Sequence, residues 1–105
     1  STAFLTIYGQ TRPLSPSRRT TIGRDAENEI VLPEPECSRR HCEISFRDGE
    51  WIIRDFESRN GTFVNEQPIR GSVGLRSGDM IRIALVKIQF TIVNTGDTAS
   101  SVSTY

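Results

Sequence analysis

The sequence predicts an all-β sandwich, and three observations carry that prediction. Short β-rich runs alternate with turn clusters along almost the whole 105-residue chain, the spacing of a sandwich rather than of βαβ units. Within the later runs apolar residues recur at every second position, the period of a strand with one buried face. No segment holds a helical period of useful length.

The runs are, in order, AFLTIYG, TTIGR, EIVLP, HCEISF, EWIIRDF, TFVN, MIRIAL and KIQFTIV. Each is built from the β-branched and aromatic residues that fit a pleated, half-buried surface. In HCEISF, Cys42, Ile44 and Phe46 share one face. Asp48-Gly49 then marks a two-residue hairpin into EWIIRDF, where Trp51 is expected to pack on the sandwich. Asn60-Gly61 taken alone reads as a type I′ turn between WIIRDF and TFVN. A second pair of strands is expected to flank Ser77 to Asp79. Beyond it Ile81, Ile83 and Leu85 share one face, as do Ile88, Phe90 and Ile92. The chain divides into a domain over residues 1–93 and a polar tail over 94–105, poor in large apolar groups and expected to be mobile.

Length admits one core and not two. Lys plus Arg equals Asp plus Glu, 13 of each, so no whole-molecule field draws the chain to nucleic acid or to an anionic membrane. Any anion site must be local. No apolar run approaches a membrane span and none resembles a signal peptide, so cytoplasmic residence is expected, or nuclear residence in a eukaryote. Ser1 in first place is expected to mark a processed or excised chain. Cys37 and Cys42, with His41 between them, provide three crowded ligands where zinc wants four, or three plus water. Two reduced thiols are expected, with no metal and no cofactor.

A parity argument gathers the charged loops. If the strand over 41–46 leaves one rim and turns at Asp48-Gly49, the strand over 51–56 returns to that rim. Ser38 and the loop ESRNGT then share it, which brings together Arg39, Arg40 and Arg59 with Ser38 and Asn60 on loops held by a rigid scaffold. Parity does not place Arg24.

Taken together, IGR at 22–24, SRRH at 38–41, DFESRNGTFVN at 55–65 and LRSGDMIRI at 75–83 resemble the forkhead-associated (FHA) domain. Each piece is weak alone; Gly-Arg, then Ser-x-x-His, then Ser-x-Asn-Gly-Thr in this order is specific. The resemblance implies an FHA/SMAD-like sandwich of two antiparallel sheets, about eleven strands, whose loops at one end bind a phosphothreonine peptide. It implies that Arg24 holds the phosphate, that Ser38 donates its hydroxyl to it, and that Arg39 lies against it or the neighbouring peptide backbone. Asn60 would grip the ligand main chain, and Arg59 stands where the family often touches the phosphopeptide. Gly23 and His41 would be architectural, as would Gly61 and Thr62. The resemblance also implies a preference for phosphothreonine over phosphoserine. Two positions depart from the family pattern: Asn65-Glu66 stands where Asn-Gly is common, and Ala84 where Gly is frequent.

The chemistry of these residues agrees. Phosphothreonine carries about −1.5 to −2 charge and three strong acceptor oxygens. Arginine meets two of them at once with a planar fork, and an amide side chain that both donates and accepts suits a peptide backbone.

Other classes fare less well. On a strand, His41 and Cys42 point to opposite faces, so they make no nucleophile and base pair, and no enzyme is expected. Acidic residues lie among the arginines and no aromatic ladder is visible, which argues against nucleic acid. A phosphorylation-independent docking or self-association module on the same sandwich is the stronger rival, since fold does not fix function. Arg18-Arg19 is expected to be an exposed corner. Asn60-Gly61-Thr62 also matches a glycosylation acceptor. Finally, Thr95 and Thr98 in the tail are candidate phosphorylation sites through which one copy would fold back or reach another.

Overall fold

A computed structural model describes residues 2–94. The tail from residue 95 on, with its candidate phosphorylation sites Thr95 and Thr98, lies outside the described residues. Eleven strands run in chain order: β1 (Thr2–Ile7), β2 (Gln10–Leu14), β3 (Thr20–Gly23), β4 (Ile30–Val31), β5 (Cys42–Arg47), β6 (Glu50–Asp55), β7 (Thr62–Val64), β8 (Gln67–Pro68), β9 (Ser72–Gly74), β10 (Met80–Ile83) and β11 (Val86–Val93). One sheet has the order β2-β1-β11-β10-β7-β8 and the other β4-β3-β5-β6-β9. Pairing is antiparallel except between β3 and β4, which run parallel.

The period-2 residues meet between the sheets. Leu5, Ile22, Ile44, Ile53, Ile81, Ile83, Ile88 and Phe90 are fully buried, each contributing about 1.5–3 kcal/mol of transfer free energy. Trp51 is buried with its ring 6.2 Å from that of Phe90 and 5.1 Å from that of Phe46, as expected for a strand-start tryptophan. Phe46 itself is 38% exposed, near the hairpin end of β5 where it pairs with Trp51.

Three local expectations change. Leu85 is 86% exposed, since Ala84 and Leu85 form the turn between β10 and β11 and the alternation stops at Ile83. The strands flanking Ser77 to Asp79 do not pair with each other: β9 belongs to one sheet and β10 to the other. Asn60-Gly61 is not a type I′ turn, because Gly61 has φ 88° while Asn60 is not among the left-handed residues. Loop 56–61 crosses between sheets instead. By contrast Asp48 and Gly49 have φ 52° and 83° and close the β5–β6 hairpin as predicted.

The two departures from the family pattern keep their turns. Asn65 and Glu66 have φ 52° and 65°. Asn65 braces this bend by donating from Nδ2 to Asp79 at 2.9 Å and accepting the Met80 N–H at 3.0 Å. Ala84 has φ 54°, a conformation costly for any residue with a Cβ.

Candidate functional site

The site forms where the ends of β3 and β6 meet the loop before β5. The chain after β3 lies along residues 37–41: Arg24 N–H donates to the Ser38 carbonyl at 2.9 Å, Asp25 N–H to Arg39 at 3.2 Å, and His41 N–H back to Ile22 at 2.9 Å. Gly23 permits this approach. A Cβ there would fall inside the van der Waals envelope of the Arg39 carbonyl oxygen and 2.8 Å from Asn28 Nδ2.

His41 ties this loop to the next. It is fully buried, its Nδ1 accepts the Ser38 N–H at 3.0 Å, and its Nε2 lies 2.9 Å from the Gly61 carbonyl. An acceptor at Nδ1 requires the neutral ring protonated on Nε2, so Nε2–H donates to Gly61. Both nitrogens therefore serve structure.

Loop 56–61 is organised by Asp55. Its Oδ1 accepts from Ser58 Oγ at 2.6 Å and from the fully buried Thr62 Oγ1 at 2.7 Å, and its Oδ2 accepts the Ser58 N–H at 3.1 Å. Ser58 Oγ in turn accepts the Gly61 N–H at 3.1 Å.

These braces aim the polar groups outward around a shallow cleft of about 310 Å³ whose lining includes Arg24, Ser38, Arg39, Arg59 and Asn60. Arg24 Nε donates to the Cys37 carbonyl at 2.9 Å, which fixes the guanidinium plane and leaves both terminal amino groups for a guest. Ser38 Oγ accepts the Arg59 N–H at 3.0 Å, so its own proton is available to donate. Asn60 Nδ2 donates to the Glu36 carbonyl at 2.9 Å, leaving Oδ1 and the second N–H. Ion pairs among the described residues are Arg18 with Glu29 and Arg82 with Glu66; the arginines of the cleft have none.

All nine sequence-predicted residues meet here: five line the cleft, and Gly23, His41, Gly61 and Thr62 stand behind it. Asn28, Asp55 and Ser58 were not anticipated. Asn28 is buried and donates both amide hydrogens, to the Asp25 and Arg39 carbonyls, each at 2.8 Å. For Asp55 and Ser58 a signal existed: an acidic residue three positions before a serine at a strand end is a turn-forming pattern.

Cys37 and Cys42 are free and buried. Burial pushes both thiols up, Cys42 furthest, with Asp55 adding to its shift, and a raised thiol is a poor nucleophile. Among the described residues no three His, Cys, Asp or Glu side chains are grouped to hold a metal ion, and no helix is long and apolar enough to cross a membrane.

The FHA domain family model matches residues 20–84, well over half of the chain. The chain belongs to the FHA family. The oxoglutarate dehydrogenase inhibitor of Corynebacterium efficiens is 42% identical over 71 residues, which cover 68% of this chain and 49% of that protein. The glycogen accumulation regulator GarA of Mycolicibacterium smegmatis is 37% identical over 71 residues, 68% of this chain and 44% of GarA. The chain thus spans about half the length of the curated relatives it matches. Among solved structures, Mycobacterium tuberculosis EmbR in complex with a low-affinity phosphopeptide superposes with a TM-score of 0.82 at 36% identity, over 88% of this chain and 24% of EmbR. An FHA domain solved in a structural and functional study of phosphothreonine-dependent FHA interactions has a TM-score of 0.82 at 30% identity, over 90% of this chain and 99% of that one.

Proposed function

We propose that this FHA domain is a noncatalytic reader that joins its host protein to a threonine-phosphorylated partner and so makes assembly depend on a kinase. The observation that carries the proposal is the poise of Ser38. Its oxygen accepts the Arg59 N–H, which anchors the hydroxyl and leaves its proton free to donate in a cleft where Arg24 is already oriented by the Cys37 carbonyl. Donors fixed before the guest arrives cost little ordering entropy on binding.

In this reading Arg24 meets two phosphate oxygens with its terminal amino groups, Ser38 donates to a third acceptor, and Arg39 supplies further positive charge. Asn60 hydrogen-bonds the ligand main chain with the donor and acceptor that Glu36 leaves unused, and Arg59 flanks the peptide. Phosphothreonine is preferred to phosphoserine. EmbR, of which a quarter resembles most of this chain, has been seen with a phosphopeptide, which supports the same use of the fold here. Cytoplasmic action belongs to the proposal, since the phosphoryl group must come from a nucleotide-using kinase.

Calorimetry with matched threonine, phosphoserine and phosphothreonine peptide libraries tests it on the native domain, Arg24→Ala and Asn60→Ala, with melting curves for each. Phosphothreonine binding that both substitutions weaken in folded protein is expected. Equal binding of the unphosphorylated library, unchanged by Arg24→Ala, would establish the docking or self-association module instead.

A further inference from the structure

Next to the phosphate cleft lies a larger one, about 670 Å³, lined by Arg54, Phe56, Ile69 and Arg70 together with Asp55 and Glu57. The two adjoin: Phe56 and Glu57 line both. The Phe56 ring collects cations, with the Arg40 guanidinium carbon 4.8 Å from its centroid and that of Arg54 5.2 Å away. Such stacking holds two long side chains in place by a cation–π attraction, so their charge is positioned before any ligand arrives.

The surrounding acids do not cancel this charge. Asp55 accepts three hydrogen bonds, two from Ser58 and one from Thr62, and its carboxylate is occupied there. Among the described residues the ion pairs join Arg18 to Glu29 and Arg82 to Glu66, so Arg40, Arg54 and Arg70 are unpaired. Across both clefts six arginines face Glu36, Asp55 and Glu57, a formal surplus of three positive charges on an electroneutral chain. One phosphothreonine neutralises at most about two of them.

We infer that Arg40, Arg54 and Arg70 around Phe56 form a second anion subsite, which takes a further anionic side chain of the same peptide, a carboxylate or a second phosphate. The inference rests on the phosphothreonine reading of the adjoining cleft. Glu57, with φ 53°, lines both clefts and repels a negative charge placed beside it, so the subsite selects by spacing as well as by charge.

The test is a calorimetric scan. A phosphothreonine peptide bound by the native domain is altered to Asp at each flanking position in turn, and in a second arm to phosphoserine. The domain is used in native form, as Arg54→Gln/Arg70→Gln and as Arg54→Lys, with melting curves. Expected is one flank position where Asp tightens binding at least about fivefold and phosphoserine more, with the gain lost in the double variant, retained in part by Arg54→Lys, and the parent peptide bound equally by all three. A phosphoserine gain without an Asp gain assigns the subsite to phosphate; both gains assign it to anions generally. No position that gains, a gain that persists in Arg54→Gln/Arg70→Gln, or an equal loss for the parent peptide would overturn the inference. A parent peptide whose binding ignores its phosphate would instead overturn the reading beneath it.

Discussion

The Ser38 side-chain oxygen lies 3.0 Å from the main-chain nitrogen of Arg59. The two residues are 21 positions apart, and this bond, with those of His41 to Gly61 and Asn60 to Glu36, joins the loop before β5 to the loop after β6. It does two things at once: it helps fix where Arg59 and Asn60 stand, and it anchors the Ser38 hydroxyl with its proton left to donate. A hydroxyl whose oxygen already holds one N–H presents its hydrogen to whatever acceptor enters the cleft.

Ser38→Ala therefore removes both a donor to phosphate and a tie between loops. A hydrogen bond to a charged group contributes about 1.5–3 kcal/mol, so phosphothreonine affinity should fall about tenfold to about a hundredfold while the melting temperature changes little. Anisotropy titration with a labelled phosphopeptide measures the first effect, and a thermal scan the second.

Gly23→Ala should damage the fold, and the site with it. The added methyl collides with the Arg39 carbonyl, held by the Asp25 N–H, and with Asn28 Nδ2, held by the Asp25 and Arg39 carbonyls. Forced overpacking of this kind costs about 1–3 kcal/mol, to be read as a lower urea midpoint at unchanged slope.

His41→Ala should cost more. It orphans the Ser38 N–H and the Gly61 carbonyl, each worth about 1–3 kcal/mol when left unpaired and buried, and opens a cavity at a fully buried position. A loss of about 3 kcal/mol or more in urea unfolding is expected. Nitrogen NMR of the native ring should report the Nε2–H tautomer.

Ala84→Gly should stabilise the domain. Ala84 sits at φ 54°, where a Cβ costs about 1–2 kcal/mol; glycine returns part of that gain through unfolded-state entropy. The carbonyl that accepts from Arg82 at 2.9 Å is retained. The net expectation is about 0.5–1 kcal/mol in denaturant unfolding.

Alkaline pH should destabilise the fold through Cys42. Burial raises its folded pKa above the unfolded thiol value, so the native state keeps a proton that the unfolded chain releases. The contribution is complete below the unfolded pKa and is lost progressively above it, at up to about 1.4 kcal/mol per pH unit. Unfolding curves between pH 8 and 10 should show this slope, and C42A should flatten it.

The sequence made the core and the shared rim readable for one reason: both follow from strand parity. Alternation at Ile81, Ile83, Ile88 and Phe90 shows the buried face, and the Asp48-Gly49 turn forces β6 back beside the start of β5. Arg24 escaped parity because β4 runs parallel to β3, a connection with no fixed length. β2 and β8 carry Pro13 and Pro68, and β8 has only two residues, too little for a period. The turn at Ala84-Leu85 lacks the glycine or asparagine that would mark it. Asn28 and Asp55 act by bonding to groups on neighbouring loops, Asn28 reaching Arg39 and Asp55 reaching Thr62, and hydrophobic periodicity does not register such bonds.

The most direct test is a crystal structure of the domain with a phosphothreonine peptide, read as distances from the phosphate oxygens. The account predicts Ser38 Oγ and the terminal nitrogens of Arg24 within about 2.5–2.9 Å of phosphate oxygens, as charge-assisted bonds require, and Asn60 bonded to the peptide main chain. A phosphate seated elsewhere on the domain, with Ser38 and Arg24 facing only solvent, would contradict it.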